Sequence, residues 1–343
     1  MSAIHTGSIF ASRPNRWMAG LAVVFLAGIS ACAPLQKDEP LEPLASQLPP
    51  PPSSYPEQPA VNAPPDDGVP RRVPGSAVAL TLTQIRNLNL APDWHPSDHQ
   101  PMPPVVAQGR KPEMFACGYC HYPNGQGRPE NASLAGLSPG YISQQMADFK
   151  SGQRKSSEPK MKAVTFMVAN AKAATDEEVR VSANYFSGIS YKPWVRVVET
   201  DNVPKTSVSG FMLVPIEGGG MEPIGQRVIE VAEDLARTSV RDSRSGFVAY
   251  VPIGSINKGE KLVSGGGRGA TAMCASCHGP GLKGQGDTPP LAGRSPSYTL
   301  RQLYDFQSGA RAGQSSSLMR EAVSKLTVSD MVSIVAYTAS LSP

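Results

Sequence analysis

The segments Cys117-Gly118-Tyr119-Cys120-His121 and Cys274-Ala275-Ser276-Cys277-His278 share the pattern Cys-x-x-Cys-His. Together they hold four of the five cysteines of the 343-residue chain. Two thiols followed directly by an imidazole at this spacing are typical of covalent attachment of c-type haem. The thiols reach the two vinyl groups of one porphyrin, and the adjacent histidine lies beneath the iron. We therefore predict two covalent haem c groups, attached at Cys117, Cys120, Cys274 and Cys277, with His121 and His278 as proximal iron ligands.

Zinc and a redox-active dithiol are the alternative interpretations of paired cysteines. A structural zinc site needs four ligands from one neighbourhood, and each pair here has only its own histidine close in sequence. A thioredoxin-like dithiol needs a βαβ context, which the flanking sequence lacks. The pattern, present twice, therefore favours haem.

The two motifs belong to an internal repeat with a constant offset of 157 residues, as from Cys117 to Cys274. The other repeated segments are Leu-Ala-Gly at 134–136 and 291–293, Ser-Pro-x-Tyr at 138–141 and 295–298, and Asp-Phe-x-Ser-Gly-x-Arg at 148–154 and 305–311. A repeat of this kind indicates two homologous units. We place the two haem domains at residues 105–190 and 256–343.

Each copy of the repeat has helical periodicity. Ile142, Met146 and Phe149 fall at i, i+4 and i+7, which is the spacing of one helix face. Thr175 and Thr327 each precede an acidic residue by three positions, the pattern of a capping box at the start of a helix. The haem domains are therefore predicted to be mainly α.

Residues 191–255 match neither copy of the repeat. The β-branched and aromatic runs at 195–198 and 247–251 predict strands, and the triple glycine at 218–220 predicts a loop. The segment 226–237 has the spacing of a helix. We predict a small mixed α/β connector between the haem domains.

The N-terminus carries a secretion signal. Arg13 and Arg16 precede an apolar run of about a dozen residues, which is the length of a signal-peptide core and too short for a membrane span. Ile29-Ser30-Ala31-Cys32 resembles the lipobox of bacterial lipoproteins. We predict a lipoprotein signal peptide at 1–31 and lipidation of Cys32 as the anchor. The alternative is cleavage nearby without lipidation, which would give a soluble periplasmic protein.

Two segments lie between the leader and the first haem domain. Residues 32–75 are rich in proline, including the run at 49–52, and have almost no apolar periodicity. Such a composition forms extended chain without a core, so we predict a disordered, semi-rigid tether. Residues 76–104 form a lead-in segment whose apolar residues are expected to pack on the first domain.

The sixth ligand of each iron decides between electron transfer and catalysis. Iron held by Met and His is six-coordinate and suited to electron transfer. Met319 is the candidate in the second domain, and Met167 aligns with it when the repeat is counted from the last helix. Counting from Arg154 instead favours Met161. We predict Met167 and Met319 as ligands, with Met161 as the alternative.

Two histidines and a cluster of basic residues are further candidates for functional groups. His95 and His99 are the histidines outside the leader and the haem motifs, and either could be a distal ligand in a dihaem peroxidase. A polar loop near Trp94 is the simpler interpretation. A basic cluster before the first methionine could steer an acidic partner, or could be a solvated loop; it comprises Lys150, Arg154, Lys155, Lys160 and Lys162.

With these motifs, the chain resembles the tandem dihaem class I cytochromes c, the group called cytochrome c4. The resemblance covers about half of the chain and rests on the haem motifs, the repeated Leu-Ala-Gly and Asp-Phe-x-Ser-Gly-x-Arg segments and the tyrosine-containing last helix. It implies two helical haem domains, His/Met ligation and electron delivery to respiratory oxidases. It also implies haems packed edge to edge through their propionates. The long segment 191–255 departs from the short linker of that group.

We therefore expect a periplasmic, membrane-anchored electron carrier rather than an enzyme. The expected partners are redox proteins, such as a quinol-side donor, a dehydrogenase or a terminal oxidase. Without Arg13 and Arg16 the formal charge falls from +4 to +2, which gives no reason to expect nucleic-acid binding. A cytochrome subunit of a periplasmic dehydrogenase or oxidase complex is the alternative, and a dihaem peroxidase is the third hypothesis.

Overall fold

The computed structural model describes residues 65–265 and 273–343. The predicted signal peptide, the lipid anchor at Cys32 and the tether as far as residue 64 lie outside the described residues. The described residues all belong to one compact unit. Within them, no helix has the length and apolar character needed to cross a membrane.

The helices follow one another in four groups along the chain. The lead-in region holds α1 (Leu82–Ile85), a 3-10 turn (Pro96–Asp98) and α2 (Pro104–Ala107). The first haem domain holds α3 (Cys117–His121), α4 (Pro139–Ser151), α5 (Lys162–Ala173) and α6 (Asp176–Ser187). The connector holds α7 (Leu235–Ser239). The second haem domain holds α8 (Ser255–Gly265), α9 (Ala275–His278), a 3-10 turn (Pro280–Leu282), α10 (Pro296–Gln307), α11 (Ser316–Val323) and α12 (Val328–Ser340).

Local sequence determines where the main helices begin. The Ser138 side chain accepts a hydrogen bond from the Tyr141 amide at the start of α4, and Ser295 does the same for α10. The predicted capping boxes are confirmed at α6 and α12, where Thr175 and Thr327 act as N-caps. These caps satisfy amide groups that otherwise have no partner within the helix.

The connector contains all seven strands of the described chain. They are β1 (Val195–Glu199), β2 (Asn202–Pro204), β3 (Thr206–Ser209), β4 (Met212–Pro215), β5 (Met221–Pro223), β6 (Ile229–Ala232) and β7 (Phe247–Val251). In the central sheet β7 lies between β1, which is parallel to it, and β6, which is antiparallel. Strands β2 and β5 pair antiparallel, as do β3 and β4. The two strands predicted from sequence are confirmed as β1 and β7.

The predicted helix at 226–237 is wrong. That segment forms the strand β6 and then the short helix α7. Ile229, Glu230 and Val231 are all buried, so both faces of β6 are covered. A strand covered on both faces lacks alternation between apolar and polar residues, which makes it hard to distinguish from a buried helix by periodicity.

The lead-in segment packs closely against the connector. The Trp94 indole is 1% exposed, and its nitrogen donates to the Val240 carbonyl at 2.8 Å. His95 is also buried, and its Nε2 lies 2.9 Å from a carboxylate oxygen of Asp242. Val73 is buried as well, so packed structure begins before residue 76. His95 lies outside the helices and strands, next to Trp94, as the loop interpretation predicts, but the contact with Asp242 buries its side chain.

Candidate haem sites

A single cavity of about 1120 Å³ connects the two Cys-x-x-Cys-His motifs. Its wall includes all six cysteines and histidines of the two motifs, namely Cys117, Cys120, His121, Cys274, Cys277 and His278. Helices α4 and α10, which are equivalent in the repeat, contribute residues to the wall from each side. The two predicted sites therefore open into one continuous space rather than into separate pockets.

Both histidines are held in the form that can bind a metal. The Nδ1 atoms of His121 and His278 each lie 2.8 Å from a backbone carbonyl oxygen, that of Ala132 and that of Pro289 respectively. A carbonyl only accepts, so Nδ1 carries the proton and Nε2 keeps its lone pair. Burial lowers the pKa of both imidazoles, which favours the neutral form. In metal-bound histidines, the ring nitrogen that does not bind the metal typically donates its proton to a carbonyl oxygen or a similar acceptor.

Burial favours the thiol form over the thiolate in three of the four motif cysteines. Burial raises the pKa of Cys117 to about 11 and also raises those of Cys120 and Cys274. Among residues 65–265 and 273–343, no three His, Cys, Asp or Glu residues are arranged to hold a metal ion. The donor set therefore fits a haem held by thioether bonds and one imidazole, and it does not fit zinc.

All three candidate methionines line the cavity. Met161 precedes α5 as its N-cap residue and is 2% exposed, whereas Met167 lies within α5 and is half-buried. Met319 lies within α11 and is also half-buried. Each thioether is thus on the wall of the space that its motif opens into. The assignment of Met167, with Met161 as its alternative, stays a prediction.

His95 and His99, the other histidines of residues 65–343 that the structure describes, do not line the cavity. His95 pairs with Asp242, and the Nε2 atom of His99 lies 3.2 Å from Asp93. Their side chains are engaged in contacts of the lead-in segment. This arrangement gives no support to a distal histidine ligand.

Among the described residues, the connector covers the first motif, whereas the side chains of the second motif make no hydrogen bond to the connector. The Arg241 guanidinium stacks on the Tyr119 ring at 3.8 Å and donates to the Tyr119 carbonyl at 2.8 Å. The Asn124 amide donates to the Ser243 carbonyl at 2.7 Å. In the second domain Cys277 is exposed. The sequence repeat predicts two similar sites and does not reveal that their surroundings differ.

Two arginines of the cavity wall have a position that sequence reasoning missed. In sequence Arg154 belongs to the basic cluster before the first methionine, whereas in the structure it is buried against Tyr298 of the second copy of the repeat. Arg311, its equivalent in the repeat, is buried beside it. The sequence does contain a signal for this position: Arg154 and Arg311 are related by the constant offset of the repeat, and a residue kept in both copies indicates a shared structural position.

The chain was compared with known proteins. The family described as Cytochrome c matches residues 263–342. Cytochrome c4 of Azotobacter vinelandii is 28% identical over 231 residues, which cover 64% of this chain and 82% of that protein. The cytochrome subunit of sulfide dehydrogenase of Chlorobaculum tepidum is 34% identical over 89 residues, covering 26% of this chain and 74% of that protein. A thiosulfate dehydrogenase electron acceptor of Stutzerimonas stutzeri is 24% identical over 236 residues, covering 68% of this chain and 82% of that protein.

The match to the second haem domain agrees with the motif and the cavity described above. The relatives named cytochrome c4 and electron acceptor align with more than half of this chain, so the similarity extends beyond one domain. The chain belongs to the cytochrome c family, within which it is cytochrome c4-like, and it is a haem protein of electron transport.

Proposed function

We propose that this protein carries two covalent haems and transfers electrons between redox proteins without performing bond chemistry. The observation that carries the proposal is the single cavity connecting both Cys-x-x-Cys-His motifs. Haem supplies one-electron redox chemistry when it is bound. Two sites in one continuous space would allow electrons that enter at one motif to equilibrate with the other.

The residues on the cavity wall would hold each haem in a six-coordinate state. His121 and His278 present Nε2 to the cavity side, because their Nδ1 atoms are committed to carbonyl groups. Met167 or Met161 would complete the first site, and Met319 the second. Met/His ligation raises the reduction potential and leaves no open position for substrate. An iron ligated in this way would suit a carrier rather than a peroxidase.

A second candidate function is that of a dedicated cytochrome partner of a dehydrogenase. Two relatives favour it, the cytochrome subunit of sulfide dehydrogenase and the thiosulfate dehydrogenase electron acceptor. The connector supplies an additional surface on the side of the first motif, where it covers Tyr119 and Asn124. If the protein has this second function, its electron donor would be a dehydrogenase that oxidises a sulfur compound rather than a complex on the quinol side of the respiratory chain.

We further propose that the protein is held at the periplasmic face of a membrane by lipid on Cys32. The lipobox-like segment before Cys32 and the proline-rich tether support this placement. A tether of this composition would let the haem domains reach a membrane-bound terminal oxidase on one side and a periplasmic donor on the other.

Rapid-mixing spectroscopy of the holoprotein with purified candidate partners tests the function. The oxidised protein is mixed with a quinol-oxidising complex or with a sulfur-compound dehydrogenase and its substrate, and the reduced protein with a terminal oxidase. Reduction and reoxidation of both haems at comparable rates would support the carrier function. Faster reduction by the quinol-oxidising complex would favour the first candidate function, and faster reduction by the sulfur-compound dehydrogenase would favour the second. Catalytic consumption of hydrogen peroxide by the protein alone would contradict both.

A further inference from the structure

The two-residue turn Gly210-Phe211 joins strands β3 and β4 of the connector into a hairpin. Both turn residues have a positive φ, 57° for Gly210 and 66° for Phe211. Two-residue turns with this backbone favour asparagine, aspartate or glycine, because a bulky side chain is strained in the left-handed region. Phenylalanine is therefore unfavourable for the turn itself, and the position of its ring calls for another explanation.

The Phe211 ring contacts helix α5 of the first haem domain. It packs edge to face on the ring of Phe166, with the ring centroids 6.1 Å apart. Phe166 packs in the same way on Phe115, two residues before Cys117, at 5.8 Å. None of these three rings lines the haem cavity, whereas Met167, the residue after Phe166, does. The three rings therefore support α5 from outside the cavity.

The same hairpin contacts the segment that follows His121. The Arg128 guanidinium donates to the Gly210 carbonyl at 3.4 Å and to the Met212 sulfur at 3.2 Å. Met212 is buried in one apolar cluster with Tyr122, the residue after His121. The hairpin therefore contacts both the segment with the predicted proximal histidine and the helix with the predicted methionine ligand.

The central sheet of the connector anchors the hairpin. Leu213 of β4 packs in an apolar cluster with Ile229 and Val231 of β6. Strand β6 in turn pairs with β7 in the central sheet. Because its strands are fixed in this way, the hairpin can hold α5 in one position through the ring at its tip.

We propose that Phe211 is a positioning residue that acts through Phe166 and holds α5 so that its methionine stays bound to the first iron. The inference rests on the proposed Met/His ligation, and it applies equally to Met167 within α5 and to Met161 as its N-cap residue. Without the ring, α5 moves more freely and the methionine leaves the iron more often. Helix α11, which carries Met319, contains no aromatic residue and cannot make an equivalent ring contact. The effect is therefore confined to the first haem.

Titration of the oxidised holoprotein with imidazole tests the proposal. Imidazole binds the iron when the methionine has left it, so its apparent affinity rises in proportion to the methionine-free fraction. Proton magnetic resonance follows the methyl group of each bound methionine separately, and Met319→Ala identifies the signal of the second haem by its loss.

Phe211→Asn removes the ring and places a residue that the turn favours. Its first haem is expected to bind imidazole roughly fivefold more tightly, the factor that corresponds to one aromatic pair, and its second haem is expected to be unchanged. Phe211→Tyr keeps the ring and stays near wild type. Ile216→Ala is the matched control, because Ile216 is an exposed apolar residue directly after β4, and it also stays near wild type.

A double-mutant cycle with Phe166→Ala tests whether the two rings act through one contact. The double variant is expected to bind imidazole no more tightly than Phe166→Ala alone, and additive increases would overturn the proposal. Unchanged affinity in Phe211→Asn would also overturn it, as would equal increases at both haems, which indicate general destabilisation. If Phe211→Asn does not accumulate, Phe166→Ala alone is titrated against the same outcomes. A wild-type protein without bound methionine at the first haem would contradict the proposed ligation itself, whereas an unaffected Phe211→Asn variant would contradict the role of Phe211 alone.

Discussion

The Nδ1 atom of His121 donates a hydrogen bond of 2.8 Å to the carbonyl oxygen of Ala132. The same bond recurs in the second domain between His278 and Pro289, at the same separation in sequence and the same distance. This bond fixes the tautomer and leaves Nε2 as the only nitrogen that can bind a metal. The two motifs therefore share one ligand geometry, although, among the described residues, hydrogen bonds from the connector reach only the first of them.

Replacement of the candidate methionines by alanine identifies the sixth ligands. Met319→Ala is expected to remove the near-infrared Met–iron charge-transfer band of one haem and to let that haem bind carbon monoxide when reduced, because an iron position is opened. Met167→Ala is expected to do the same for the other haem, with Met161→Ala as its control. The absorption spectrum of each variant, normalised to haem content, is the measurement. Loss of the band in Met161→Ala but not in Met167→Ala would transfer the ligand role to Met161.

Substitution of Cys32 tests the lipid anchor. Cys32→Ser removes the thiol that would carry the acyl chain, and stable anchoring depends on acyl chains buried in the bilayer. The variant is expected to move from the membrane fraction to the soluble periplasmic fraction, with its haem spectrum unchanged. Cell fractionation followed by haem staining is the measurement. An unchanged distribution between the fractions would contradict the lipoprotein hypothesis.

Glu230 should make stability depend on pH. Its carboxylate is 1% exposed and accepts hydrogen bonds from the Ser295 hydroxyl at 2.7 Å and the Ser297 amide at 3.0 Å. Burial raises the pKa of this carboxyl above its usual value of 4.5. The folded state then binds the proton more tightly than the unfolded state, so the free energy of unfolding falls as pH rises above about 4.5.

The variant Glu230→Gln has no titrating group at this position, so its free energy of unfolding should fall less steeply over the same pH range. Chemical denaturation of both holoproteins at a series of pH values provides the comparison, since other titrating groups contribute equally to each. Parallel pH profiles would show that the Glu230 carboxyl titrates in the folded protein as it does in the unfolded chain.

Gly259 allows helices α8 and α12 to approach each other closely. A methyl group at this position of α8 would overlap the backbone oxygen of Ser333 and lie 2.8 Å from Cβ of Tyr337, both in α12. Gly259→Ala is therefore expected to destabilise the fold by about 3 kcal/mol, the cost of overpacking a tight contact. Gly265→Ala is the matched control in the same helix, since no atom of the described residues lies within 4 Å of its added methyl group. Equal denaturation midpoints for the two variants would contradict the packing described here.

Features determined by neighbouring residues were predictable from the sequence. The capping boxes at Thr175 and Thr327 and the strands β1 and β7 are confirmed, because caps and β-branched runs act locally. The repeat also indicated two homologous units, and the two histidine–carbonyl bonds are equivalent between those units.

Features that depend on contacts distant in sequence were not predictable. His95 is buried because it meets Asp242, and Arg154 is buried because the second domain supplies Tyr298 and Gln302. Neither contact leaves a signal in the residues next to it. The strand β6 was missed for the same reason, since its pairing with β7 and its cover on both faces come from tertiary structure.

The number of haems that stay bound to the denatured chain tests the central claim most directly. Thioether bonds survive denaturation, whereas a haem held only by ligands to iron is released. The absorption and the intact mass of the denatured wild-type protein are therefore expected to show two haems per chain. A double variant that carries both Cys274→Ser and Cys277→Ser is expected to retain one haem. Retention of one haem by the wild type, or of none, would contradict the assignment of both motifs as haem c attachment sites.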